Sequence, residues 1–360
     1  MKKTRLVTAL VLVALLLLMA LGPRAHHRQL EVRLPVVPSD PSALQAMVAA
    51  GERATAGIRP DNQARIVWVD PAHPAPSACA IIYLHGFGAS QGEGAPVHRE
   101  LARDFGCNLF LPRLPGNGLA SVDAMRGIDA QQWLDGAARA LAIGHALGRR
   151  VIVIGTSMGG GLALELAGRE PAAVDALLLY SPLVREYRDQ LDPMFWPDGE
   201  WLLKYLKNHG RDHLAYDQDS VYWAGQMHID GYKAIAELRS SLTPSLFKAI
   251  RAPMFLGYYW ADSEHHDTTV SVPAMLAMYA QVATPAADKR KQAYADAGAH
   301  VIVSPLRSKA SAQVYVDSRN FLHQVLGMTY VCGADTGKPC PPVGGAASGA
   351  MPDPARGHPS

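Results

Sequence analysis

The residues best suited to chemistry lie in "VIVIGTSMGGGLAL", positions 152–165. Gly155, Thr156, Ser157, Met158 and Gly159 fit the pattern G-x-S-x-G. An apolar run of strand type precedes them and a run of helix type follows. That context puts Ser157 on a sharp strand-to-helix turn. Gly155 and Gly159 leave room where side chains would collide. The serine hydroxyl then stands at the carboxyl end of a sheet. The first amides of the new helix point to the same place, where negative charge would develop. The chemistry implied is nucleophilic attack on a carbonyl. Dinucleotide binding, the rival use of a glycine-rich turn, requires G-x-G-x-x-G, and "GTSMGGG" does not supply it.

A serine of this kind needs a base. His300, in "DAGAHVIVSP", follows the last strand candidate on a loop able to reach the turn; most of the other 13 histidines read as surface or packing residues. The base in turn needs an orienting carboxylate. "ADSEHHDTTVSVPAM" offers Asp262, Glu264 and Asp267 just beyond a strand. Asp267 is preferred, because a valine stands three residues on and a helix start follows soon after. Asp262, nearer the strand end, is the alternative. His265 and His266 are adjacent and cannot easily face one ion together, so no metal site is read here. No cofactor is called for. In "LHGFGAS" (84–90), the backbone amide of Phe87 is expected to form an oxyanion hole with that of Met158, supported by His85 and Gly86. "RLPGNG" (113–118) reads as the turn lining the opposite wall.

These residues need a scaffold that alternates strands and helices. Strand candidates are "ARIVWVD" (64–70), "AIIYLHG" (80–86), "CNLFLPR" (107–113), "RVIVIG" (150–155), "VDALLLYS" (174–181), "PMFLGYY" (253–259) and "KQAYADA" (291–297). Unbroken apolar centres suit strands covered on both faces, as in a parallel sheet. "AQQWLDGAARALAIGHALG" (130–148) carries a one-sided apolar stripe of helical spacing. The alternation reads as α/β with crossover helices. Residues 183–250 break the rhythm. They look helical, lack a convincing core strand, and hold 10 of the 26 aromatics. A helical cap with an apolar underside accounts for them.

The chain has 360 residues, 49% hydrophobic and 18% charged, which describes a globular protein with a sizeable core. Net charge is +2, and removing Lys2, Lys3 and Arg5 leaves −1, so no nucleic-acid partner is expected. Residues 1–25 have the form of an export signal: a basic start, then an apolar run over about 6–22. A cleaved signal peptide and a retained membrane anchor both remain open. Either puts the body of the protein outside the cytoplasm, in the periplasm or beyond, with anchoring to the inner membrane as one form. Four cysteines suit that compartment. The expected pairs are Cys79–Cys107 and Cys332–Cys340. Residues 26–59 read as a linker with one short helix, and 331–360 as a disulfide-looped, disordered tail.

"HGFG", "PGNG", "GTSMGGG" and "AGAHV", in that order over residues 60–330, resemble the α/β-hydrolase superfamily of serine hydrolases. They are most similar to exported esterases and to lysophospholipase-like or monoacylglycerol-lipase-like members. The resemblance implies an α/β-hydrolase fold: a mostly parallel sheet of eight-stranded type, helices on both faces, and a helical cap after the sixth strand. It also implies hydrolysis of an apolar acyl ester with Ser157 as nucleophile, His300 as base and Asp267 as orienting acid. Thioester, amide or peptide hydrolysis by the same residues, and a catalytically silent binding protein, are the alternatives. Two departures stand out. Asn117 replaces the histidine of the frequent P-G-H-G turn, and the acid loop is some five residues longer than usual.

Overall fold

The computed structural model describes residues 2–21, 27, 29–215 and 220–332. The described chain runs α1 (Lys2–Leu21), α2 (Pro41–Arg53), β1 (Arg65–Val67), β2 (Ser77–Leu84), α3 (Val97–Phe105), β3 (Asn108–Leu111), α4 (Ala130–Leu147), β4 (Gly148–Thr156), α5 (Met158–Arg169), β5 (Ala176–Tyr180), α6 (Gly199–Asn208), β6 (His213–Ala215), β7 (Gln226–His228), α7 (Ile229–Ser241), α8 (Pro244–Ala249), β8 (Met254–Tyr259), α9 (Val272–Gln281), β9 (Lys289–Tyr294) and α10 (Ser311–Gln324).

All seven apolar runs expected as strands enter one sheet, in the order β1-β3-β2-β4-β5-β8-β9. Only β1 runs antiparallel to its neighbour β3; the other pairings are parallel. The described sheet therefore has seven strands rather than eight. The cap leaves it after β5, the fifth strand, not after a sixth.

β4 lies at the centre because both of its faces are apolar. Val151, Ile152, Val153 and Ile154 are completely buried. Burying each contributes roughly 1.5–3 kcal/mol relative to exposure. Alternate side chains point to opposite faces. Val151 and Val153 join the core that includes Trp133, Leu134 and Leu141 of α4 and Leu162 and Leu166 of α5. Ile152 and Ile154 join the core under Leu101 and Phe105 of α3 and Phe321 and Leu322 of α10. Helices thus cover both faces, which is what a parallel sheet requires.

Helix starts follow local chemistry. α4 begins at a capping box, with Asp129 accepting from Gln132 N at 2.9 Å and the Gln132 side chain accepting from Asp129 N at 2.9 Å. α2 begins with Asp40 accepting from Ala43 N at 2.8 Å and with Pro41 at its first position. This helix, expected within a linker, packs onto the domain instead. Leu44 and Val48 are buried in the same core as Trp133. Trp68 Nε1 also donates to Gln45 Oε1 at 2.7 Å.

The cap is not purely helical. β6 and β7 form an antiparallel pair inside it, with His213 opposite His228. Three-residue strands with no wide apolar face are hard to read from sequence. α1 exposes Leu6, Leu10 and Leu16 to solvent. Among the described residues no helix is long and apolar enough to cross a membrane. Cys79 and Cys107 form a disulfide that joins the entries of β2 and β3. Cys332 is also disulfide-bonded, and its expected partner Cys340 lies outside the described residues, as does the tail beyond it.

Candidate active site

The sharp turn between β4 and α5 is built as its glycines require. Ser157 has φ 53° and ψ −119°, a conformation that costs on the order of 1–3 kcal/mol. Two bonds to the neighbouring strand end hold it there: Ser157 N donates to Tyr180 O at 3.1 Å, and Ser157 O accepts from Leu183 N at 2.8 Å. A Cβ on Gly155 would meet Gly159 O at 2.6 Å, and one on Gly159 would meet Leu84 O at 2.0 Å. Side chains are therefore excluded at both positions by backbone. Met158 is the first residue of α5, so its N–H is among the amides that find no acceptor inside the helix.

The loop after β2 approaches this turn from the other side. A Cβ on Gly86 would lie 3.4 Å from Ser157 Cβ. His85 is wholly buried, and burial, followed by the nearby charge of Arg113, pulls its pKa down to about 4. Its Nε2 accepts from Leu114 N at 3.1 Å, which leaves Nδ1 to donate to Gly86 O at 2.9 Å. A neutral imidazole therefore ties the β2 loop to the β3 loop. Asn117 makes a second tie: its Oδ1 accepts from Gly88 N at 3.0 Å and its Nδ2 donates to Pro115 O at 3.0 Å.

On the far side of the sheet's carboxyl edge, His300 Nδ1 lies 2.7 Å from Asp267 Oδ2. The other oxygen, Asp267 Oδ1, accepts from Thr269 N at 2.9 Å and Val270 N at 3.1 Å. Burial opposes the charge on Asp267, but His300 and the two amides outweigh it and hold the carboxyl below its usual value. Burial likewise opposes charge on His300, and Asp267 overcomes it, so the imidazole pKa is raised above 6.5. His300 Nε2 is buried and has no hydrogen-bond partner. Asp262 stands apart. Its carboxylate is exposed, accepts from Glu264 N and His265 N, each at 2.8 Å, and lies 3.0 Å from His265 Nδ1.

Ser157 and His300 line one cavity of about 360 Å³, together with Gly86 and Phe87. This is a volume typical of small-molecule sites. Its roof comes from the cap, including Met194, Leu203, Leu214 and Ile229. Phe87 packs edge-on against Trp133 and Tyr232, with ring centroids 5.9 and 5.0 Å away.

One residue of this cavity has no counterpart in the sequence reading. Glu93 is 1% exposed, yet it lines the cavity with Ser157 and His300. Its Oε2 accepts from Gly86 N at 2.8 Å and from Tyr83 Oη at 2.8 Å. Tyr83, having donated to Glu93, accepts from Thr156 Oγ1 at 2.9 Å. Glu93 thus bonds directly to the β2 loop and, through Tyr83, to the residue preceding Ser157. Burial pushes its carboxyl up to about 7, against the pull of the Gly86 amide, the Tyr83 hydroxyl and His300. In "ASQGEGAP" this glutamate looks like any loop charge. Only its burial distinguishes it.

Comparisons with known proteins agree with the architecture. A sequence model of the alpha/beta hydrolase family matches residues 81–343. The pimeloyl-[acyl-carrier protein] methyl ester esterase of Nitrosospira multiformis is 34% identical over 103 residues, 28% of this chain and 37% of that protein. The chain therefore spans little more than a third of the length of this curated relative. Among solved structures, one from work on the metagenome-derived lipolytic enzymes LipS and LipT is similar with a TM-score of 0.58 and 15% identity, over 74% of this chain and 99% of that one. A soluble variant of monoglyceride lipase from Saccharomyces cerevisiae has a TM-score of 0.55 and 14% identity, over 73% and 91%. The monoacylglycerol lipase of Paleococcus ferrophilus has a TM-score of 0.53 and 14% identity, over 72% and 98%. At these identities the structural likeness speaks for the fold.

Proposed function

The chain belongs to the alpha/beta hydrolase family, and from that premise we propose that it is a serine hydrolase cleaving carboxylic esters of apolar acids or alcohols. The observation that carries the proposal is the buried Asp267–His300 pair. Its free imidazole nitrogen sits in the wall of the cavity that Ser157 also lines.

In this reading Ser157 Oγ attacks the ester carbonyl carbon while His300 Nε2 takes its proton. The amides of Phe87 and Met158 hold the oxyanion. Collapse of the tetrahedral intermediate expels the alcohol, which receives the proton from His300 and leaves an acyl-serine. Water then attacks by the same route, and Ser157 regains its proton. Asp267 keeps the proton of the neutral imidazole on Nδ1 and stabilises the charged form that appears twice per cycle. Glu93 acts as a positioning residue that keeps the β2 loop and the serine turn in register. The apolar roof supports an apolar substrate. The names of the relatives, an esterase of a methyl ester and lipases of glycerides, support an ester over an amide.

The deciding experiment is labelling of the purified protein with a fluorophosphonate, followed by a p-nitrophenyl ester series of rising chain length. Wild type is expected to label and Ser157→Ala is not. A label on another residue, or none, overturns the mechanism. The basic, leucine-rich start and the exposed leucines of α1 support export with membrane attachment through this segment. Fractionation of cells expressing the full chain, against a chain lacking residues 1–25, tests it; equal release of both into the soluble fraction rejects attachment.

A further inference from the structure

We propose that Asp123, His213 and His228 form a site for a divalent transition-metal ion that fastens the cap to the scaffold. The three side chains come from separate parts of the fold. Asp123 belongs to the scaffold loop between β3 and α4, His213 to β6 and His228 to β7. One ligating atom of each lies within 4.8 Å of the other two. His213 and His228 face each other directly across the β6–β7 pair, with ring centroids 5.3 Å apart. His213 Nε2 is 2.7 Å from Asp123 Oδ1.

The second observation is the state of His228. Its side chain is buried; its Nδ1 accepts from Asp230 N at 3.2 Å and also lies 3.2 Å from Asp230 Oδ2. Nε2 is the remaining ring nitrogen, and it is buried without a hydrogen-bond partner. A buried nitrogen left unpaired next to a second imidazole and a carboxylate is what a metal would satisfy. Metal binding would move the ring proton from Nε2 to Nδ1, where Asp230 Oδ2 stands ready to accept it, the usual outer partner of a ligating histidine. Two imidazoles and one carboxylate suit Zn²⁺, Ni²⁺ or Cu²⁺ better than Ca²⁺ or Mg²⁺. Three protein ligands leave a fourth position for water.

Nearby charge also favours a cation. Asp123, Asp212 and Asp230 surround the cluster, opposed by Arg126, which is 2.9 Å from Asp123, and Lys204, which pairs with Asp212. Bonds of about 2.0–2.1 Å require Asp123 Oδ1 and His213 Nε2 to part from their direct 2.7 Å contact to admit the ion, and the third ligand, within 4.8 Å of both, to draw in. Leu214 and Ile229, next in the chain to the two histidines, form part of the roof over Ser157 and His300. Occupancy would therefore set how firmly that roof is held. Binding itself does not depend on the proposed reaction; the consequence of a firmer roof for turnover does.

The test uses the full chain, stripped with EDTA and titrated with Zn²⁺ by calorimetry and with Co²⁺ by visible absorption. One ion per chain is expected, with the absorption bands of a four-coordinate cobalt site. His213→Asn and Asp123→Asn, both at partly exposed positions, should abolish those bands. Asp230→Asn should weaken affinity roughly 10–100-fold, as loss of an outer-shell partner does. Absence of stoichiometric binding, or binding unchanged in His213→Asn, overturns the site. Because binding is read without turnover, failure of the ester assay leaves this result standing.

Discussion

His300 Nδ1 lies 2.7 Å from Asp267 Oδ2, across 33 residues of chain and the gap between the loops that follow β8 and β9. Two carboxylates, five residues apart, competed for that place. Asp267 holds it because its backbone doubles back: Asp267 N donates to Tyr259 O at 3.2 Å, and the amides of Thr269 and Val270 turn its side chain inward. The extra residues form a surface excursion in which Asp262 bonds to its own loop.

Asp267→Asn is accordingly expected to lower kcat by about 10⁴, as loss of the orienting acid does in serine hydrolases generally. Asp262→Asn should change it less than about threefold, because surface substitutions away from such features act weakly. Steady-state kinetics on a short p-nitrophenyl ester measures both. A reversed ranking would assign the acid to Asp262.

In the proposed mechanism His300 must be neutral to accept the proton of Ser157. Because Asp267 raises the His300 pKa above 6.5, activity should fall as pH drops through a midpoint above that value. In Asp267→Asn the residual activity should show its acid limb at lower pH. A pH profile of kcat/KM reports the free enzyme and checks both statements.

Glu93 gives a stability signature of opposite sense to an ordinary paired carboxylate. Between its usual value of 4.5 and about 7, the native state holds a proton that the unfolded chain has released. Stability therefore declines as pH rises through this window, by about 3 kcal/mol in total at 1.36 kcal/mol per unit. Glu93→Gln keeps an acceptor for Gly86 and Tyr83 but cannot ionise. It should melt higher than wild type at pH 8 and match it near pH 4.5 in thermal scans. Glu93→Ala removes the brace and should cost up to about 10² in kcat, the scale of a one-ångström misplacement.

Gly159→Ala sets a small side chain against backbone that cannot move away. Its Cβ would stand 2.0 Å from Leu84 O and 2.7 Å from His85 O. A loss of about 3 kcal/mol is expected in urea unfolding, at the upper end for overpacking. Activity should fall with it, since the displaced segment carries the Phe87 loop.

Much of this protein is legible in its sequence because it is local. Apolar runs buried on both faces announce β2, β4, β5 and β8 whatever they pair with. The glycines around Ser157 announce a turn whose shape depends on a few neighbouring residues. Other features exist only once distant segments meet. α2 looked like part of a linker until Leu44 and Val48 found the core beside α4. β6 and β7 are too short to carry a periodic signal and are defined by each other. Glu93 became a buried group by the closing of the β2 loop over it. Asp123, His213 and His228 form a cluster only because the cap folds back onto the scaffold. Sequence by itself determined the strands, the serine turn and the order in which Ser157, Asp267 and His300 follow one another. Tertiary structure alone decided which carboxylate meets His300, which charges lose their water and which histidines become neighbours. Proximity and burial belong to the packing of remote segments, and no single stretch of chain encodes either.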